Sequence, residues 1–219
     1  TALPYLAPSL IIFTVFVFYP LIRSIVLSAY ATNSIGQMAG FVGLRYYRRL
    51  FTSAEYINSL FVTVRFVLYT VPGVLIVSLV LASLGNLRLR GIAAYRIAFA
   101  LTLAISGATA ALLFQFLYHP VLGTFNYLLD LMHLPRIGWL VDPKYALFAV
   151  AVPRIWLQAG FATVVLLAGM QGISEELFEA AKIDGAGFWA SWRHITFPLV
   201  TPSLFFLLVV TTLNAFQTL

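Results

Sequence analysis

The residues best suited to do chemistry fall in one short polar stretch. Glu175, Glu176, Glu179 and Asp184 are four of the chain's seven acids, and they lie within ten positions, with Lys182 and Arg193 close by. So dense a polar run in an apolar chain must sit in water or against another protein, and the chemistry that suits it is docking. The usual signs of catalysis or metal binding are missing. Cysteine is absent, so there is no disulfide, thiolate ligand or thiol nucleophile. His119, His133 and His194 have no metal-ligand spacing, and His119, Asp130 and His133, although in one loop, match no catalytic pattern. The lysines, Lys144 and Lys182, do not follow a glycine, so no GxxxxGK[ST] nucleotide loop exists. The sequence therefore names no catalytic residue and no metal site.

Two short helices are expected to present the polar stretch. Ser174 is placed to cap a helix over 175–183, and Glu175 and Glu176 occupy its first turn, where the helix dipole favours negative charge. Glycines at 185 and 187 can stop that helix and turn the chain. A second piece over about 188–196 carries Phe188, Trp189 and Trp192 on one side, and Pro198 is expected to end it. Ala180 and Ala181 are small enough for another protein to approach the backbone closely. An amphipathic loop lying on lipid headgroups is the alternative. Four acids fit that poorly, because the inner leaflet is anionic and attracts basic segments.

The rest of the chain is membrane-like. It is 62% hydrophobic and 9% charged, against about 25% charged in soluble domains, and its mean hydropathy is +0.97. Charge-free stretches cover 1–22, 66–87, 97–129, 155–174 and 195–219. Each is near or above the roughly 20 residues that cross a hydrocarbon core. We expect an all-α polytopic membrane protein with at least five spanning helices, over about 5–29, 57–85, 92–117, 145–172 and from 198 or 202 onward. A bend is expected at Pro72-Gly73, and an interruption at Pro153-Arg154. The segment 1–22 lacks a basic leader and is expected to be a retained helix. Thr1 and Leu219 both fall in apolar runs, so a basic tail and a sixth helix are expected beyond them. The net charge of +6 is spread over loops and is not a nucleic-acid footprint.

The polar stretch resembles the "EAA" motif of permease subunits of binding-protein-dependent ABC importers. Glu179-Ala180-Ala181 is followed after three residues by Gly185, and after nine more by Ile195-Thr196-Phe197-Pro198. Phe197 replaces the family's usual leucine. Weaker similarities run through the chain: Phe41-Val42-Gly43-Leu44 with Tyr47, Asn58-Ser59 with Thr63, Gly123, Asn126 and Leu129, Trp139-Leu140 with Asp142-Pro143, then Trp156 and Ala168-Gly169. The branch it looks most like is that of carbohydrate and glycerol-phosphate permeases, specifically the first of two dissimilar subunits.

That resemblance implies a type I ABC importer transmembrane domain, a single permease domain over 1–219 in a bacterial inner membrane. External loops would be 31–56 and 118–144, and 174–198 a cytoplasmic coupling loop. Loop cations alone leave orientation tied: Arg45, Arg48, Arg49, Arg136 and Lys144 stand against Arg88, Arg90, Arg96, Lys182 and Arg193. The implied contacts with an ATPase are Glu179, Ala180, Ala181, Asp184 and Gly185. The implied partners are a second permease subunit, two ATPase subunits that hold ATP and Mg, and an extracytoplasmic solute-binding protein. No cofactor is expected in this chain.

Arg23, Arg65 and Arg154 fall in or beside expected spans, where an arginine costs about 2.5–3.5 kcal/mol at the bilayer centre. Arg23 and Arg65 can snorkel to an interface. Arg154, with Trp156, Gln158, Gln115 and Asn214, is a candidate for the solute path; an interfacial position is the alternative for Arg154, and helix–helix hydrogen bonding is the competing role of the amides. An ion-coupled secondary transporter working without an ATPase would want acids inside the spans and internal repeats. All seven acids fall in expected loops or near helix ends.

Overall fold

The computed structural model describes residues 3–33, 35, 38–87 and 89–218. Thr1, Arg88 and Leu219, which entered the expectations above, lie outside the described residues. Contacts divide the chain into two units, Thr1–Phe61 and Val62–Leu219.

The first unit opens with α1 (Tyr5–Ser28), none of whose spanning window is buried, as suits side chains that face lipid. Within it Thr14–Phe18 forms a π turn, and the Tyr19 N–H reaches back to the Thr14 carbonyl. Pro20 comes next. A proline ring has no N–H and clashes with the carbonyl four residues back, and the wider turn accommodates both. A hairpin follows, β1 (Tyr30–Thr32) antiparallel to β2 (Met38–Phe41), with Tyr30 opposite Phe41. The resemblance implied only an external loop over 31–56. Next comes α2 (Arg45–Thr52), tied to the end of α1 by a 2.7 Å hydrogen bond between Ser28 Oγ and Tyr47 Oη. The long helix α3 (Ala54–Gly85) starts after Ser53.

The second unit holds the rest of α3, then α4 (Ile92–Ala104), α5 (Gly107–Leu117), α6 (Thr124–Leu131), α7 (Pro143–Gln171), α8 (Glu175–Ile183) and α9 (Phe188–Phe216). Four helices, α1, α3, α7 and α9, are long and apolar enough to cross a membrane, and α4 with α5 makes a fifth if the bent pair is one span. Val74, Ala82, Ala162, Leu166, Met170, Val200 and Leu207 form the core where α3, α7 and α9 meet. Small residues such as Ala82 and Ala162 are enriched at such contacts because lipid offers no hydrophobic drive and close packing must hold the helices. Buried Thr70, Thr163 and Thr211 each donate to a carbonyl four residues back in their own helix, at 2.6–2.8 Å. They thus pack as small side chains with no polar debt.

Three expectations need correction. The helix expected over 92–117 is two helices that meet at 106° around Ile105-Ser106. Its end turns 3-10 at Leu101–Ala104, and Ser106 Oγ accepts from the Thr109 N–H at 3.2 Å to start α5. Gly160 of α7 makes room for this break. A Cβ there would collide with Thr102 Oγ1 and lie 2.6 Å from the Phe99 carbonyl. Second, Pro198 does not end a helix. It lies inside α9, after a π turn at Trp192–Thr196 in which the Phe197 N–H bonds the Trp192 carbonyl, as at Pro20. Third, α7, expected to be interrupted at Pro153-Arg154, is one continuous helix through both residues.

The loop 118–144 is organised by one buried side chain. Asn126 Nδ2 donates to the carbonyls of Pro120 and Ile137, and its Oδ1 accepts from the Ile137 N–H and Trp139 Nε1, all at 3.1 Å. Tyr118, Phe125, Trp139 and Trp156 pack beside it around Phe114 and Ala149. Arg136 clasps exposed Asp130 at 2.7 Å, and its donation holds that carboxyl below the usual carboxylate range. Asp142 accepts from the Lys144 N–H at 2.9 Å to cap α7, with Pro143 in its first turn.

Candidate functional site

The polar stretch folds as α8, a turn, and the start of α9. Glu175 and Glu176 are in the first turn and Lys182 in the last, so the charges follow the helix dipole. Ser174 stands at the capping position but makes no side-chain cap bond, contrary to its expected role. The other end is closed by the backbone. Gly185 takes φ +78, its N–H bonds the Lys182 carbonyl at 3.0 Å, and the Ala186 N–H bonds the Ala181 carbonyl at 2.8 Å. This is a Schellman cap, which needs a left-handed residue at the glycine's position. Gly187 has φ −75 and needs no such freedom.

Glu179, Ala180, Asp184 and Gly185 are exposed and Ala181 is half-buried. The five residues expected to meet an ATPase therefore occupy one helix and its turn. Composition alone did not mark the exposed apolar side chains of this stretch. Ile183 is 87% exposed and Trp189 75%. Phe188, Trp189 and Trp192 form a ladder of edge-on rings 5.6 and 6.1 Å apart, as their spacing suggested.

Two hydrogen-bonded contacts flank the loop. On the entry side, Arg96 of α4 donates from Nε to the carbonyl of Gly85, the last residue of α3, at 2.9 Å. With its amide oxygen turned toward Arg96, Gln171, the last residue of α7, accepts from both Nη atoms at 3.2 Å. On the exit side, Trp192 Nε1 donates to Ser83 Oγ of α3 at 3.1 Å. Arg96 had been counted only as a loop cation, and no sequence pattern links residues so far apart.

Of the candidate path residues, three come together. Arg154 donates to the Asn214 carbonyl at 3.4 Å, and the Gln158 amide oxygen accepts from Arg154 Nε and Nη2 at 3.2 and 3.0 Å. Trp156 packs instead against Phe114, with ring centres 5.6 Å apart. Gln115 is exposed on α5 and takes no part in these bonds. Arg23 donates to Tyr19 Oη at 3.3 Å on α1, and Arg65 is exposed on α3. No cluster of histidine and acidic residues able to hold a metal exists among the described residues.

Spanning helices that leave one acidic, alanine-tipped elbow outside the apolar segments define a polytopic membrane protein with a built-in docking element. The chain belongs to the family of binding-protein-dependent transport system inner membrane components, whose family model matches residues 55–219. It is 36% identical over 220 residues to the sn-glycerol-3-phosphate transport system permease protein UgpA of Rhizobium meliloti (strain 1021), covering 98% of this chain and 73% of that one. Its fold matches a chain of a bacterial ABC transporter involved in the import of the acidic polysaccharide alginate, with a TM-score of 0.81, 24% identity and coverage of 98% and 73%. It also matches a chain of a bacterial alginate ABC transporter in complex with a pentasaccharide-bound periplasmic protein, with a TM-score of 0.74, 25% identity and coverage of 95% and 69%. This chain is thus a multi-pass cell-membrane permease component of an ABC importer and not an enzyme.

Proposed function

We propose that the chain is one of two dissimilar membrane subunits of an ATP-driven importer for a sugar or glycerol-phosphate-type solute. The two subunits alternate access to the solute, and the loop 174–198 seats in a separate ATPase subunit. The observation that carries this reading is the surface of α8. The Gly185 cap ends a helix that exposes Ile183 with Glu179 and Asp184, and the start of α9 exposes Trp189 just beyond the turn. Such apolar exposure next to four acids is poorly placed against anionic lipid and well placed against a protein cleft. ATP and Mg belong to the two ATPase subunits, since this chain has no phosphate loop. An extracytoplasmic binding protein delivers solute to the loops 31–56 and 118–144 of the permease domain 1–219. Arg154, Gln158 and Asn214 meet the solute in its path, with Trp156 and Gln115 as further candidates.

The test is a pair of substitutions in complexes reconstituted in vesicles. Glu179→Lys reverses charge at an exposed site, where folding changes little. Gly185→Asp forces a side chain into the left-handed conformation, at a cost of about 1–2 kcal/mol. Both proteins should insert and find the second permease subunit, yet lose ATP-driven uptake at least tenfold, with the ATPase dissociating more readily. Normal uptake with the ATPase bound as before would remove the loop from its assigned role.

A further inference from the structure

Any force applied to α8 reaches the spans through its two ends. The entry runs through Gly172-Ile173-Ser174 into α7, and the exit through Ala186-Gly187 into α9. Both ends are also fastened sideways, and to the same place. Gln171 at the entry is held by Arg96, whose Nε bonds the Gly85 carbonyl. Trp192 at the exit bonds Ser83 Oγ. Ser83 and Gly85 are two residues apart in the last turn of α3, so both attachments converge on one turn of a helix that contributes no residue to the loop.

The chemistry favours a stiff joint. The last carbonyls of a helix have no partner within it and carry its negative dipole end. Arg96 supplies a cation and a donor to the end of α3 while bonding the side chain at the end of α7. Its planar fork can serve both at once, which a lysine ammonium does less well. Tyr95, the neighbouring residue, donates to the Leu81 carbonyl at 3.3 Å, one turn earlier in α3. Beneath these polar contacts, Ala82 of α3, Met170 and Ile173 beside the loop entry, and Val200 of α9 share one apolar core.

We propose that the last turn of α3 is the receiver of the coupling loop: Arg96 and Trp192 are positioning residues that clamp its two ends onto Ser83 and Gly85, so that a push on α8 moves α3, α7 and α9 as one body. This rests on the reading that α8 seats in an ATPase. Without the clamps, α8 would still dock and hydrolysis would still run, but the motion would be absorbed at the joints.

The experiment reads solute imported per ATP hydrolysed by the whole importer in vesicles, for Arg96→Ala, Arg96→Lys, Trp192→Phe and Ser83→Ala. Trp192→Phe keeps a ring and removes only the indole donor, so it keeps the test open if Arg96→Ala fails to assemble. The expected result is a fall of about fivefold in uptake per ATP for Trp192→Phe, the scale of one lost hydrogen bond, with hydrolysis itself kept. Ser83→Ala should match it, and the double variant should be no worse than either. Arg96→Lys should recover part of what Arg96→Ala loses. A merely structural role would lower uptake and hydrolysis together and leave their ratio fixed, so an unchanged ratio in the assembled variants overturns the proposal. If the unaltered protein shows no ATP-driven uptake, the functional reading fails instead, which keeps the two failures apart.

Discussion

Asn126 shows how much a single side chain can organise. It is 1% exposed and satisfies four hydrogen bonds that join the chain at 120, 126, 137 and 139. Removing the amide leaves two carbonyls, one backbone N–H and one indole N–H without that partner. Each unsatisfied buried group costs about 1–3 kcal/mol, part of which relaxation and water recover. Asn126→Ala should therefore lower stability by about 2–4 kcal/mol, seen as an earlier heat-unfolding midpoint of the detergent-solubilised chain. Asn126→Asp keeps the shape and both acceptances but loses both donations and buries a charge, so it should do no better than alanine. An unchanged midpoint for both would mean that the loop is held elsewhere. In sequence this asparagine entered among the residues of the family resemblance, and its organising role was not legible, because its partners lie six to thirteen positions away.

At the scale of elements, hydropathy found the spans and was blind to their internal breaks. The segment 92–117 reads as one helix because Leu101–Ala104 and Gly107–Leu117 are equally apolar. The clue to the 106° bend was the Ser106-Gly107 pair, a turn signal overlooked inside the hydrophobic run. The polar elbow was legible for the opposite reason: charge, alanine and glycine at fixed spacing are local features, and so is the Gly185 cap. Proline was misleading at 198, since a π turn carries the helix through it. That turn has a consequence. It adds a residue to the helical repeat just before Phe197, and one residue of an α-helix is about 100° of rotation. Pro198→Ala restores an N–H that can bond the His194 carbonyl and lets the π turn relax to α. Trp192 should then swing away from Ser83, and uptake per ATP should fall as it does in Trp192→Phe. If Pro198→Ala couples normally, the π turn is not what aims Trp192.

Across the whole molecule the acids keep out of the long apolar stretches. The acids are Glu55, Asp130, Asp142, Glu175, Glu176, Glu179 and Asp184, and none falls between 143 and 174 or after 184. Arg154, by contrast, lies eleven residues into α7, about 17 Å along a helix whose 29 residues run about 43 Å. Its partners, the Asn214 carbonyl and the Gln158 amide, are neutral, so they orient the guanidinium and leave its charge standing. A cation held so among apolar helices attracts an anion far more strongly than it would in water. Where the solute is a phosphate ester or a carboxylate, Arg154 should meet the charged group, while a neutral polyol would gain only ordinary hydrogen bonds. Arg154→Gln keeps polarity and removes the charge. A hydrogen bond to a charged group is worth about 1.5–3 kcal/mol, so the apparent KM for an anionic solute should rise by about tenfold to a hundredfold. Uptake of a neutral solute of similar size should change little. Equal losses for both would make Arg154 a structural bridge between α7 and α9, and no loss for either would place the solute path elsewhere.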